Sequence, residues 1–173
     1  MLLVLLSCSR YPSDVERTLR FAGGNRAELE RVLERYRKSG EEEKYKAACF
    51  LIGNMGGQGS KDGPALRRYY RELSSFYDRP DVDAWSLYAF EDSLFNVLDF
   101  ARLEMHYDAR NISASYLEKR IADAFSVRDV KWCRDLSFED FCEYVLPYRV
   151  GDELLEDWFS DYRNTFGLAL DSL

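Results

Sequence analysis

Residues 136–158 read Leu-Ser-Phe-Glu-Asp-Phe-Cys-Glu-Tyr-Val-Leu-Pro-Tyr-Arg-Val-Gly-Asp-Glu-Leu-Leu-Glu-Asp-Trp. This stretch holds two helix starts and a proline stop. Ser137 stands where an N-cap belongs, with Asp140 in the first turn beside the positive end of the helix dipole. Phe138, Phe141, Cys142 and Val145 recur at i, i+3, i+4 and i+7, the spacing of one buried helical face. Pro147 lacks the N–H to continue the ladder and turns Leu146 away from helical geometry. After Tyr148-Arg149-Val150-Gly151, Asp152 is expected to cap the next helix. The face of that helix would be Leu155, Trp158, Phe159, Tyr162 and Phe166.

Working outward, the same 3.6-residue rhythm fills most of the chain. A short helix is expected from Asp14 to about Phe21, ended by Gly23-Gly24. Asn25 is expected to cap a second helix, with Glu28 closing a capping box and Leu29, Val32, Leu33 and Tyr36 facing inward. Gly40 would end it. The third helix, Glu41 to Asn54, is apolar over so much of its circumference that it should be central. The second and third helices thus read as an αα-hairpin. Gly56 to Gly63 reads as a flexible loop, and Pro64 as the first residue of a fourth helix bearing Leu66, Tyr69, Tyr70, Leu73, Phe76 and Tyr77. Asp81 or Asp83 should open a long fifth helix reaching Leu103, with Leu87, Phe90, Leu94, Leu98, Ala101 and Met105 buried and Trp85, Tyr88, Phe95 and Phe100 adding aromatic bulk. Ser113 should cap a sixth. No alternating strand pattern or hairpin turn stands out. The expectation is all-α: an irregular bundle of about seven to eight helices, opening with αα-hairpins.

Composition narrows the function. With 173 residues, 46% of them hydrophobic, the chain can bury one real core. A net charge of −7 without a basic stripe argues against a nucleic-acid partner. Residues 1–8, Met-Leu-Leu-Val-Leu-Leu-Ser-Cys, read as the end of a bacterial lipoprotein signal, with Cys8 as the lipidated residue and translation beginning upstream. The bland reading is a short buried or disordered N-terminus. Under the first reading the protein would be lipid-anchored in the cell envelope, facing periplasm or cell surface. Residues 1–12 would be signal and tether, 13–167 one helical domain, and 168–173 a tail or linker.

Candidate chemistry is sparse. His106 is the one histidine, and Cys142 falls inside a helix rather than at its N-terminus, a poor place for a nucleophile. Cys133 and Cys142 could pair in an oxidising compartment, or lie buried as small hydrophobes with Cys49. The carboxylates Asp152, Glu153, Glu156 and Asp157 read as helix-start residues, not as a metal site. Glu139, Asp140 and Glu143 share one helix, which cannot set the cross-cleft geometry of a glycosidase. No cofactor is implied. The abundant aromatics read first as core and second as a platform for a glycan or peptide.

Three segments carry a family resemblance: Asn25-Arg-Ala-Glu-Leu-Glu-Arg-Val-Leu33, Lys46-Ala-Ala-Cys-Phe-Leu-Ile-Gly-Asn-Met55 and Phe138-Glu-Asp-Phe-Cys-Glu-Tyr-Val-Leu-Pro-Tyr-Arg149. Ile112-Ser-Ala-Ser-Tyr-Leu-Glu118 fits the same pattern. Together they resemble the N-terminal helical region of secreted bacterial lipoproteins that carry a transglutaminase-like, papain-related core farther along the chain. The resemblance spans about Ser13 to Phe166. It departs at Gly56-Gly-Gln-Gly59, where the family often has Pro and a His-Tyr stretch, and at Trp158-Phe159, where it usually has Trp-Arg. The family's catalytic residues would lie beyond Leu173, so none is assigned here. The resemblance implies a non-catalytic module spacing or supporting a core absent from this chain. Its interaction surface would include Tyr148, Arg149, Asp152, Leu155, Trp158 and Phe159. The alternative is a self-contained lipoprotein that binds a glycan or peptide through aromatics and carboxylates.

Overall fold

A computed structural model describes residues 10–170 of the chain, with side chains for 10–166. Cys8 and the rest of residues 1–9 lie outside the described residues, as does the end of the tail. The architecture is all-α. Eight helices of seven residues or more follow in order: α1 (Ser13–Phe21), α2 (Arg26–Ser39), α3 (Glu42–Asn54), α4 (Pro64–Tyr77), α5 (Ala84–Val97), α7 (Ala114–Ser126), α9 (Phe138–Tyr144) and α10 (Trp158–Leu170). Two single turns, α6 (Asp108–Asn111) and α8 (Lys131–Arg134), complete the set. Among the described residues no helix is long and apolar enough to cross a membrane.

The body is built on α1, α2, α3, α6, α7 and α9. Leu29, Val32, Leu33 and Tyr36 of α2 are buried at helical spacing, and they meet Ala47, Ala48, Leu51 and Ile52 of α3. Gly40 adopts φ 75°, the left-handed C-cap that lets the chain reverse at once into α3. Gly53 faces α1 closely: a Cβ there would meet the Asp14 carboxylate, which would have to turn aside. Val15 and Leu19 of α1, Leu117 and Ile121 of α7, and Phe141 and Leu146 close the core.

Several expectations are corrected. Asn25 is itself helical and makes no cap bond; its amide donates instead to the carbonyls of Ala109 and Ile112. Glu28 does not complete a box on its own helix. It accepts from the backbone N–H of Ala114 at 2.8 Å, capping α7 from another helix while Ser113 Oγ accepts from Tyr116 N–H. The Gly56–Gly63 loop contains a strand, β1 (Gly59–Asp62), paired antiparallel with β2 (Glu104–Tyr107). With Gly-Ser-Lys-Asp facing Glu-Met-His-Tyr, no apolar alternation marks the ribbon. Gly59 is required there, because a Cβ would sit 2.5 Å from the His106 carbonyl. The fifth helix stops at Val97, short of Leu103, and a 3₁₀ turn at Phe100–Arg102 follows. Residues 168–170 continue α10 rather than opening an extended tail.

The ribbon has an architectural consequence. Everything between β1 and β2, namely α4, α5 and the 3₁₀ turn, forms a helical hairpin attached to the body by two strands. α4 and α5 pack chiefly on each other. Phe76 stacks on Phe90 with ring centroids 4.3 Å apart, and Tyr69, Phe95 and Phe100 form a second ring cluster. Asp83 and Ser86 make a reciprocal capping box at the start of α5. The molecule is therefore a packed body carrying an arm.

Candidate interaction site

Two places concentrate unusual side chains: the segment closing the body, and the arm. In the closing segment Ser137 caps α9 as its sequence implies, accepting from Asp140 N–H at 3.0 Å. The chain leaves α9 at Val145 and turns inward at Pro147, because the next two side chains answer a buried carboxylate. Asp108, 1% exposed, receives Arg149 Nε and Nη2 at 2.7 Å each in a two-pronged ion pair. The Tyr148 hydroxyl lies 3.0 Å from Asp108 Oδ2 and 2.8 Å from Gln58 Oε1. The backbone N–H of Asp108 donates to the Gln58 carbonyl. Burial, reinforced by the Asp108 charge, pushes the Tyr148 phenol far above its ordinary value.

A second cation fixes the same segment from the other side. Arg120 on α7 donates through Nε to the Pro147 carbonyl at 2.9 Å and through Nη2 to the Val145 carbonyl. It thus caps the C-terminal end of α9. Its guanidinium lies 4.8 Å from the Trp158 ring and 4.6 Å from the Phe159 ring. It forms no ion pair among the described residues, and Nη1 is buried with no hydrogen-bond partner. Burial pulls its pKa down to about 10, still charged at neutral pH. Tyr116 adds a hydrogen bond to the Glu156 carbonyl, and Trp158 Nε1 donates to the Tyr148 carbonyl.

These contacts relocate the residues expected to form an interaction surface. Tyr148 and the Arg149 side chain are 3% and 6% exposed, so they are an internal joint rather than a surface. Leu155 packs against the core, and Trp158 and Phe159 are half-buried on Arg120. Asp152 is exposed but caps nothing. The helix begins six residues later at Trp158, where Asp157 accepts from Ser160 N–H; Glu153 instead holds the N–H groups of Val150 and Gly151. Leu155 and Phe159 therefore present no bare apolar patch. The outward aromatics of α10 are Tyr162 and Phe166.

Other candidates for chemistry separate. Cys142 is buried, and loss of solvation pushes its thiol up to about 11, the opposite of nucleophile activation. His106 is exposed on β2 opposite Ser60. Cys49, Cys133 and Cys142 are free thiols. Among the described residues no group of three or more His, Cys, Asp or Glu is arranged to hold a metal ion. A half-open cleft of about 270 Å³ lies between α3 and the closing segment, walled by Phe50, Leu51 and Pro147 and rimmed by Asn54, Gln58 and Glu143.

The arm exposes aromatics whose helical spacing suggests packing. Tyr70, Tyr77, Trp85, Tyr88 and Phe95 are between 53% and 81% exposed. A signal for this was present: Trp85, Tyr88 and Phe95 form a stripe offset from Leu87, Phe90 and Leu94, so α5 is apolar on two sides. Comparison with family models, curated proteins and solved structures finds no match to this chain.

Proposed function

We propose that this chain is a non-catalytic binding module, in which a rigid helical body presents the α4–α5 arm to a protein partner. The observation that carries the reading is the arm itself. Five large aromatics stand in solvent on a hairpin that adds nothing to the body core, and such a patch is costly unless it is covered in use. The role agrees with what the resemblance to the helical region of transglutaminase-like lipoproteins implies, a module that spaces or supports a catalytic core. A lipid on Cys8 would hold the module at a membrane surface of the cell envelope.

A photo-crosslinking residue at Trp85, introduced in the native cell, tests the reading. Adducts with a polypeptide from Trp85, and none from the exposed body position Glu139, are expected. Equal labelling from both positions would contradict it. A second reading rests on the cleft beside Tyr148: a sugar or short peptide could lie on Phe50 and Pro147 and bond to Asn54, Gln58 and Glu143. Its test is chemical-shift mapping with envelope glycans and peptides, and shifts confined to α3 and the closing segment would favour it.

A further inference from the structure

The arm carries more than loose aromatics. Its exposed rings form one continuous face. On α4, Tyr70 and Tyr77 each follow an inward residue, Tyr69 and Phe76, by one position. On α5, Tyr88 and Phe95 each follow an inward residue, Leu87 and Leu94, by one position. One residue is about 100° of helical turn. Because the two helices run antiparallel, the same offset swings both stripes to the same side of the hairpin. The inward Tyr69 ring links the two stripes, lying 5.5 Å from Tyr70 and 5.3 Å from Phe95. Trp85 extends the face towards the tip.

The charges of the arm differ in sign between the helices. α4 carries Arg67, Arg68 and Arg71 against Glu72, and α5 carries Glu91 and Asp92. Most of them are matched within the arm: Arg67 pairs with Asp62, Arg68 with Glu72, and Glu91 accepts from the Tyr69 hydroxyl. Two are left over. Arg71 is exposed with no ion pair among the described residues, and Asp92 is held only by Asn96 on its own helix. They stand at nearly the same height on opposite outer edges, because Tyr69 packs on Phe95 and Phe76 on Phe90.

We infer that the partner of this face is the same face on a second copy of the chain. The inference rests on the binding-module reading and gives the arm its partner. A twofold axis lying between the two faces, parallel to the helices, sets α4 of one arm over α5 of the other. It buries both aromatic stripes in a four-helix bundle and brings each Arg71 to the other copy's Asp92. An isologous contact of this kind requires opposite charges on either side of the axis, which is what the two leftover groups supply. Five aromatics at more than half exposure offer roughly 600 Å² per copy, most of the ~800 Å² per partner of a standard interface. A membrane is the poorer occupant: Asp78, Asp81 and Asp83 crowd the arm tip beside Trp85 and would repel anionic lipid.

The test is sedimentation equilibrium of the full chain from about 1 to about 100 μM, concentrations that populate both species of a micromolar dimer. A monomer–dimer equilibrium is expected, weakened at least tenfold by Tyr88→Glu and by Asp92→Arg. Circular dichroism of each variant should match the parent. The decisive variant is the double exchange Arg71→Asp with Asp92→Arg, which restores the charge pairs across the axis and should recover association lost in the single variant. A monomer at every concentration, or a dimer indifferent to Tyr88→Glu, overturns the inference. In the monomeric case the Trp85 crosslink separates the two failures. An adduct with a different polypeptide leaves the binding arm standing with another partner, whereas no polypeptide adduct removes the arm reading as well. Binding of the monomeric chain to phosphatidylglycerol vesicles would overturn the inference in favour of a lipid surface.

Discussion

Arg149 is the residue on which the closing segment turns, and its position follows from Asp108. A buried carboxylate at 1% exposure is costly unless paired, and the two-pronged Arg149 guanidinium satisfies both oxygens at once. Arg149→Ala is expected to cost about 3–5 kcal/mol in urea unfolding, because it strands the buried carboxylate. Removing both partners together, with Asp108→Leu and Arg149→Met, should cost clearly less than that. The pairing was not legible in the sequence, because 41 positions separate the two residues and nothing local marks Asp108 as buried. Ser137, by contrast, was legible, since a cap is decided by neighbours three residues away. Alkaline pH offers another check at this scale. Burial pushes Cys142 up to about 11, burial with the Glu34 hydrogen bond pushes Tyr11 up to about 12, and Tyr148 is raised further. When unfolded, these groups lose protons from about pH 8.5 for the thiol to about pH 10 for the phenols. Proton release then favours the unfolded chain, so stability is full below about pH 8 and falls between about pH 8 and pH 12. Urea midpoints across that range should decline, and Cys142→Ala should delay the onset. A flat profile would contradict the burial described for these groups.

Among the elements, helices that pack on the body were readable and elements stabilised by distant partners were not. α2 and α3 show their buried faces in their own spacing, and Gly40 marks the hairpin between them. The start of α7 is different. Glu28 reaches it from α2, so a cap that looked local is tertiary. Glu28→Ala is therefore expected to cost about 1 kcal/mol through α7 rather than α2. Hydrogen exchange would show the loss at Ala114 and Tyr116. The ribbon is not legible in the sequence because its strands are four residues each and polar, and pairing across the 41 intervening residues leaves no periodic trace. The arm departs from its sequence expectation for a related reason. A helical face packed on one neighbour and a face awaiting another have the same apolar spacing, so Trp85 and Tyr88 looked like core.

At the level of the whole molecule, the body closes its own hydrophobic core without the arm, whose proposed role is to bind a partner. Asp62 and Glu104 form the last pair of the ribbon, so residues 63–103 can be replaced by an Asn-Gly turn that closes the two strands directly. The melting and association of that shortened chain test the division most directly. A single cooperative transition within about 5 °C of the parent, together with loss of self-association, is the expected result. Loss of the cooperative transition would mean that the arm belongs to the body core, and the central claim would fail.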